Sequence, residues 1–180
     1  MQQDLNLLIR INMDILTGTL LASHPQLTDP NFISAIILIC EHNANGSFGL
    51  RINKPINFQL QDLVEDAQNI HFQVFDGGPV EPTAVHFIHR RPDSVPEGRQ
   101  ISNNLFWGGN FVRALKEIRN GNLSEKDIRF FVGYCGWDTN ELEAECEEQS
   151  WLLHQASTYW IFACNSMNDW DNFQPVNKQA

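Results

Sequence analysis

With 180 residues, 42% of them hydrophobic and including 12 Phe and 5 Trp, the chain suits one domain that buries about 70% of its unfolded surface. Its formal net charge of −10 argues against binding nucleic acid through phosphates, because the one basic cluster is His89-Arg90-Arg91, with Arg99 nearby. No apolar run approaches the ~20 residues of a membrane span, so the expected compartment is the cytoplasm.

Residues 1–16 read as an N-terminal extension with room for a short helix. Asp4, Asn6 and Arg10 interrupt its leucines, and neither a basic start nor a small-residue cleavage site marks a leader. Residues 17–22 read as a short strand. Asp29 and Pro30 then predict a helix N-cap and first helical position. The isoleucine-rich run "AIILICE", 35–41, is expected to be a central strand buried on both faces.

Asn45-Gly46 between this run and residues 47–53 signals a hairpin, since both residue types tolerate positive φ. Pro55 is expected to end the second strand. Helical spacing of Leu60, Leu63, Val64 and Ala67 predicts a helix over 58–69, followed by a strand and turn at 73–79. Residues 84–89 read as another strand, and 90–100 as a polar loop. An amphipathic helix over 110–121 is closed by Gly121. A strand over 128–134 leads to a strongly acidic helix, 139–150, capped by Asp138 or Thr139. Residues 156–180 are expected to be irregular, with Pro175 excluding a long terminal helix. These elements predict an α+β (mixed α/β) fold in a single domain over 1–180, a mixed β-sheet with an N-terminal hairpin and flanking helices.

The residues that could carry chemistry begin with Glu41-His42-Asn43. A carboxylate beside an imidazole could tune it for acid–base work, but strand neighbours point to opposite faces. Glu41, His42, Asn43 and Gly46 therefore read first as turn residues. His86 and His89 form HxxH on a strand, which separates the two rings and disfavours a metal site. None of the four cysteines (40, 135, 146 and 164) forms a CxxC pair, and all four are expected to be reduced thiols. Cys135 follows a strand, a place where nucleophiles occur, but "GYCGW" lacks the spacing of a nucleophile elbow. The double glycines of "FDGGPV" and "FWGGN" carry no phosphate-loop spacing. No cofactor or metal is expected.

One ligand cleft is predicted by geometry. If 47–53, 58–69 and 73–76 form a βαβ unit, its strands are parallel and their carboxyl ends adjoin. Asn53, Lys54, Gly77 and Gly78 would then line a cleft, with Trp137 beside it. The acidic helix 139–150 offers a separate docking surface for a basic protein partner.

Five stretches together resemble the AlgH/YqgE family of bacterial proteins. They are residues 18–55, "FDGGPV" (75–80), "LFWGGNFVRALKEIRNG" (105–121), "GYCGWDTNELEAE" (133–145) and "SWLL" (150–153). The resemblance implies the family's fold. It transfers no catalytic residue, and the function it implies is an old label of transcriptional regulator. Asn140-Glu141 stand where the family usually has Gly-Gln, and Cys135 where it often has alanine or serine. The leading functional reading is a non-catalytic cytoplasmic protein that binds a protein partner or a small ligand. Its alternatives are an enzyme using the Asn53/Gly77-Gly78 cleft or His42 and Cys135, and the regulator of the family label.

Overall fold

In the computed structural model, which describes residues 14–155 and 157–174, ten strands form one mixed sheet. The readings of residues 1–13 as an extension with a short helix, and of Pro175 as a helix stop, lie outside the described residues. The strands are β1 (Leu20–Ser23), β2 (Ile36–Asn43), β3 (Gly46–Arg51), β4 (Pro55–Gln59), β5 (Gln73–Asp76), β6 (Val80–His89), β7 (Arg99–Ser102), β8 (Leu105–Trp107), β9 (Ile128–Trp137) and β10 (Trp151–His154). The helices are α1 (Leu60–Leu63), α2 (Phe111–Arg119), α3 (Glu141–Glu147) and α4 (Thr158–Ala163), with 3₁₀ segments at Glu65–Ala67 and Met167–Phe173. The main path runs β10-β1-β2-β3-β9-β6-β8-β7, with β5 on β9 and β4 on β5. Among the described residues no helix is long and apolar enough to cross a membrane.

The apolar run in β2 is buried on both faces, as its composition requires. Ile36, Leu38 and Cys40 enter one core with Leu50, Phe131 and Ile161. Ile37 and Ile39 enter the opposite one, with Trp137, Leu142 and Trp151. A third core packs α1 and α2 on the sheet through Leu60, Leu115, Phe87 and Phe130. Fully buried rings such as Phe130 and Phe131 each contribute about 1.5–3 kcal/mol relative to exposure.

Strand β9 switches faces partway along. Phe131 belongs to the first core, whereas Cys135 and Trp137 belong to the second, although even spacing should keep all three on one side. Gly133, at φ 70°, supplies the irregular step.

Several local expectations are corrected, one being the irregular reading of 156–180, where Ser157 Oγ caps α4 (Thr158–Ala163) and a 3₁₀ segment follows at Met167–Phe173. Residues 28–35 form turns rather than a helix. Asp29 Oδ1 accepts from Asn31 N (2.9 Å), and Ser34 turns left-handed at φ 52° before Ala35 feeds directly into β2. Too few residues intervene for a helix to propagate. The helix over 58–69 is also absent as a unit. Pro55 opens β4 instead of ending a strand, Phe58 is 51% exposed, and extended Val64 separates α1 from the 3₁₀ turn. Finally, α3 starts from Asn140 in the left-handed region (φ 63°), not from a side-chain cap at Asp138 or Thr139.

The parallel βαβ unit is the largest correction. β3 pairs antiparallel with both β2 and β9, while β5 runs parallel to β9. Since β6 occupies the other edge of β9, β3 and β5 share one edge and meet end to end. The short α1 and β4 cannot supply the long crossover a parallel neighbour needs.

A Cβ at Gly133 would overlap the Gly78 carbonyl oxygen, and one at Gly121 (φ 77°) would meet open space. Gly133→Ala is therefore expected to cost about 2–4 kcal/mol in urea unfolding, and Gly121→Ala only about 1 kcal/mol. Equal losses in the two variants would show that the close approach at Gly133 does not constrain the fold.

Candidate functional site

The end-to-end meeting of β3 and β5 brings Asn53, Lys54, Gly77 and Gly78 together, though not as walls of a cleft. Arg51 N donates to Gly77 O and Asp76 N to Lys54 O, both at 2.8 Å. Asn53 is fully buried, its Oδ1 accepting from Ile36 N (3.0 Å) and its Nδ2 donating to Ser34 O (2.8 Å). Both of its functional groups are thus spent on holding the start of β2. Lys54 Nζ and Arg51 Nη2 converge on Asp76 Oδ2 at 3.0 and 2.7 Å. Gly77 and Gly78 lie so close to Gly133 and Tyr134 that neither has room for a Cβ. The junction is a packed joint.

Of the hairpin residues singled out from sequence, Glu41, Asn43 and Gly46 line an open hollow of about 250 Å³, and His42 does not. The register Asn43↔Gly46 puts Ala44 and Asn45 at the reversal. Gly46 takes φ 128° while Asn45 does not turn left-handed, so the Asn-Gly pair does not occupy the two central turn positions. Asn43 accepts from Asn45 N (2.8 Å) and donates to Glu41 Oε1 (2.8 Å), the local bonding expected of a turn. Glu41 also pairs with Arg99 of β7, far off in sequence. Glu41, Asn43 and Asn45 form the polar rim. Phe48 and Trp107 form the apolar floor, and the largely buried Trp137 also borders the hollow.

Behind that floor the rings stack. Phe48 lies between Trp107 (4.4 Å) and Tyr134 (4.7 Å), with the His86 ring edge-on at 5.2 Å. Arg99 sits 5.5 Å from the Trp107 ring, a cation–π distance. Trp137 and Trp151 donate their indole N–H groups to the same oxygen, Glu145 Oε2, at 2.8 and 2.7 Å. Ser47, Phe48, Arg99 and Trp107 were not legible as site residues, because strands far apart in sequence bring them together.

His42 Nδ1 is 2.7 Å from Ser47 Oγ across the hairpin, and its Nε2 is 3.5 Å from Glu143 Oε1. His42 does not serve Cys135. That thiol is buried at 1% exposure, donates to Gly77 O (3.4 Å) and is pushed up to about 12 by burial. Burial also lowers both His86 and His89. His89 stacks on Phe106, donates through Nε2 to Gly108 O (3.1 Å) and accepts from Arg91 N at Nδ1. His86 packs instead with Phe48 and Tyr134. Among the described residues, no group of three or more His, Cys, Asp or Glu is placed to hold a metal ion.

In the acidic helix, Glu141 caps Asp138 N (2.8 Å), Glu143 faces His42 and Glu145 holds the two indoles. Glu147 and Glu148 stand exposed without such partners among the described residues.

Residues 20–175 match the model of the AlgH-like family (DUF179), and the chain belongs to it. A UPF0301 protein of Chlorobaculum tepidum is 38% identical over 145 residues, covering 81% of this chain and 78% of that protein. Another UPF0301 protein, from Cytophaga hutchinsonii, is 33% identical over 156 residues and 86% of each chain. The solution structure of the AlgH protein from Pseudomonas aeruginosa superposes with a TM-score of 0.72 at 25% identity, covering 89% of this chain and 87% of that one. A crystal structure of protein DIP2367 from Corynebacterium diphtheriae gives 0.74 at 19% identity, over 91% and 90%, and so shares the fold. The family's function is unknown.

The joint itself is testable. Burial alone would raise the Asp76 carboxyl, but Arg51 and Lys54 outweigh it and hold the group below its ordinary range. Asp76→Asn leaves Arg51, only 4% exposed, without its counter-ion. Because Asp76 keeps 26% exposure, the expected loss near pH 7 is about 2 kcal/mol, less than for a fully buried pair. A depressed folded pKa stabilises above the unfolded value of about 3.9, and that stability disappears as pH falls through the folded pKa. Urea midpoints of wild type and variant should therefore differ at pH 7 and converge in strong acid. A gap that persists there would assign the effect to something other than the charge.

Proposed function

We propose that the chain is a cytoplasmic binding protein with no covalent chemistry of its own, and that the hairpin hollow receives a small polar ligand. The observation that carries this reading is the pairing of a free amide with an indole floor. The Asn45 side chain makes no hydrogen bond among the described residues and stands on the rim beside Glu41 and Asn43, above Trp107. Few polar groups over an apolar, mostly pre-formed surface are what small-molecule sites use to orient a ligand. Four unpaired thiols suit a reducing compartment. A net charge of −10 lends no support to the regulator label. The acidic helix as a docking surface for a basic partner rests on Glu147 and Glu148, exposed and without side-chain partners among the described residues.

A second reading is favoured by one specific contact. Ser47 lines the hollow with its hydroxyl on His42, and Glu143 stands beyond the other ring nitrogen, an order of groups that activates nucleophiles elsewhere. If Nε2 carries the proton, Nδ1 is free to accept from Ser47. An exposed Glu143 at 3.5 Å orients that ring weakly, which is why binding is the leading reading.

Native mass spectrometry of the chain purified from a cytoplasmic extract tests both. A retained small molecule that is lost in Asn45→Ala, with unfolding stability unchanged, is the expected result. An equal yield from wild type and variant would move the site elsewhere. Treatment with a serine-directed phosphonylating reagent should leave the mass unaltered, and a single adduct on Ser47 would establish the second reading instead.

A further inference from the structure

A separate hollow of about 450 Å³ opens on the other side of the joint, between β5, β9 and the segment after α4. Its floor holds Arg129, 6% exposed, which the proposed function does not use. Arg129 Nη1 donates to Ile52 O (3.2 Å), Ile161 O (3.1 Å) and Cys164 O, and Nη2 donates to Phe162 O (2.8 Å). Three of these carbonyls lie at the end of α4, where the last turn leaves oxygens unpaired and negative. The contacts fasten the C-terminal segment to the sheet.

They do not neutralise the charge. Among the described residues no carboxylate lies within ion-pair distance of Arg129, although buried guanidinium groups are ordinarily paired. Glu125, on the same wall, is already bound to Gln73 N, and Asp169 accepts from Asn165 N and Ser166 N at 2.9 Å. The Arg129 Nε–H makes no hydrogen bond among the described residues, and one Nη2 proton has no partner there either. Phe75 lies 4.3 Å from the guanidinium and Phe162 5.9 Å, so the cation is set in an aromatic wall. Burial pushes Arg129 down to about 10, which leaves it charged at neutral pH. Lys126, exposed on the same hollow, adds a second positive charge.

We infer that this hollow binds a small molecule bearing a carboxylate or phosphate, its anionic group between Arg129 and Lys126 and its apolar body against Phe75, Phe162 and Pro55. A planar guanidinium with N–H groups unpartnered among the described residues, set in an aromatic wall, matches either oxyanion. The site is distinct from the hairpin hollow, so failure at one leaves the other standing.

The test is a ¹⁵N–¹H NMR titration of the full chain with benzoate and, separately, with inorganic phosphate. The expected result is saturable shifts at Gln73, Glu125–Arg129 and Phe162–Asn165 with at least one probe; the tighter probe assigns the headgroup. Lys126→Glu, at an exposed position that leaves the fold intact, should weaken that binding by about tenfold. Benzamide, which keeps the ring and lacks the charge, should not saturate the site. Shifts that fail to saturate, that scatter over exposed basic residues, or that are unchanged by Lys126→Glu would overturn the proposal.

Discussion

Strand β9 carries more neighbours than an ordinary strand, and the rest of the molecule is arranged around that demand. It pairs with β6 along one edge and with both β3 and β5 along the other. Two strands can share an edge only if they abut, and abutting strand ends leave backbone groups to be satisfied. The Arg51–Gly77, Lys54–Asp76 and Gly77–Val132 backbone bonds do so, closed by the Arg51–Asp76 ion pair. Gly77, Gly78 and Gly133 let three backbones meet where side chains would not fit. The step at Gly133 turns the later part of β9 over, so Trp137 reaches Glu145 and the hairpin rather than the first core.

That geometry explains what was legible and what was not. The isoleucine run of β2 and the presence of a hairpin after it are local signals and are found, though the turn centres on Ala44-Asn45 rather than Asn45-Gly46. So is α2, whose apolar spacing and terminal Gly121 are independent of distant partners. The mixed α+β sheet follows from those elements together. The β3–β5 relationship was misread because 58–69 has helical spacing but spends its first residues pairing as β4 with β5. Local periodicity does not report which partner a segment finds. The face switch at Gly133 was hidden for a similar reason, since one glycine in "FVGYCGW" marks a bulge only once its neighbours are known.

The site residues divide along the same line. Glu41, His42, Asn43 and Gly46 read from sequence as turn residues; they lie in β2 and β3 flanking the reversal at Ala44 and Asn45, with Asn43 bonded locally to Asn45 N and Glu41. The place of Glu41, Asn43 and Gly46 on a hollow depends on Trp107 and Arg99, some sixty residues on, which only the sheet order brings near. Asn53, a polar residue at a predicted strand end, reads from sequence as a ligand contact. Burial converted it into a backbone clamp. Arg129 gave no signal at all, since a lone arginine in "DIRFFV" reads as an exposed strand residue until the C-terminal segment covers it.

The acidic character is likewise less free than composition implies. Glu141, Glu143 and Glu145 are engaged by the helix start, by His42 and by two indoles, so part of the negative charge is structural. Those contacts hold α3 against the sheet behind the hairpin. On the proposed reading, function resides at this hairpin end and not at the β3–β5 joint. Hydrogen–deuterium exchange of the intact chain, with and without the small-molecule fraction of a cytoplasmic extract, tests it most directly. Added protection is expected at residues 41–48 and 105–107. Protection at 52–54 and 76–79 with none at the hairpin would contradict it.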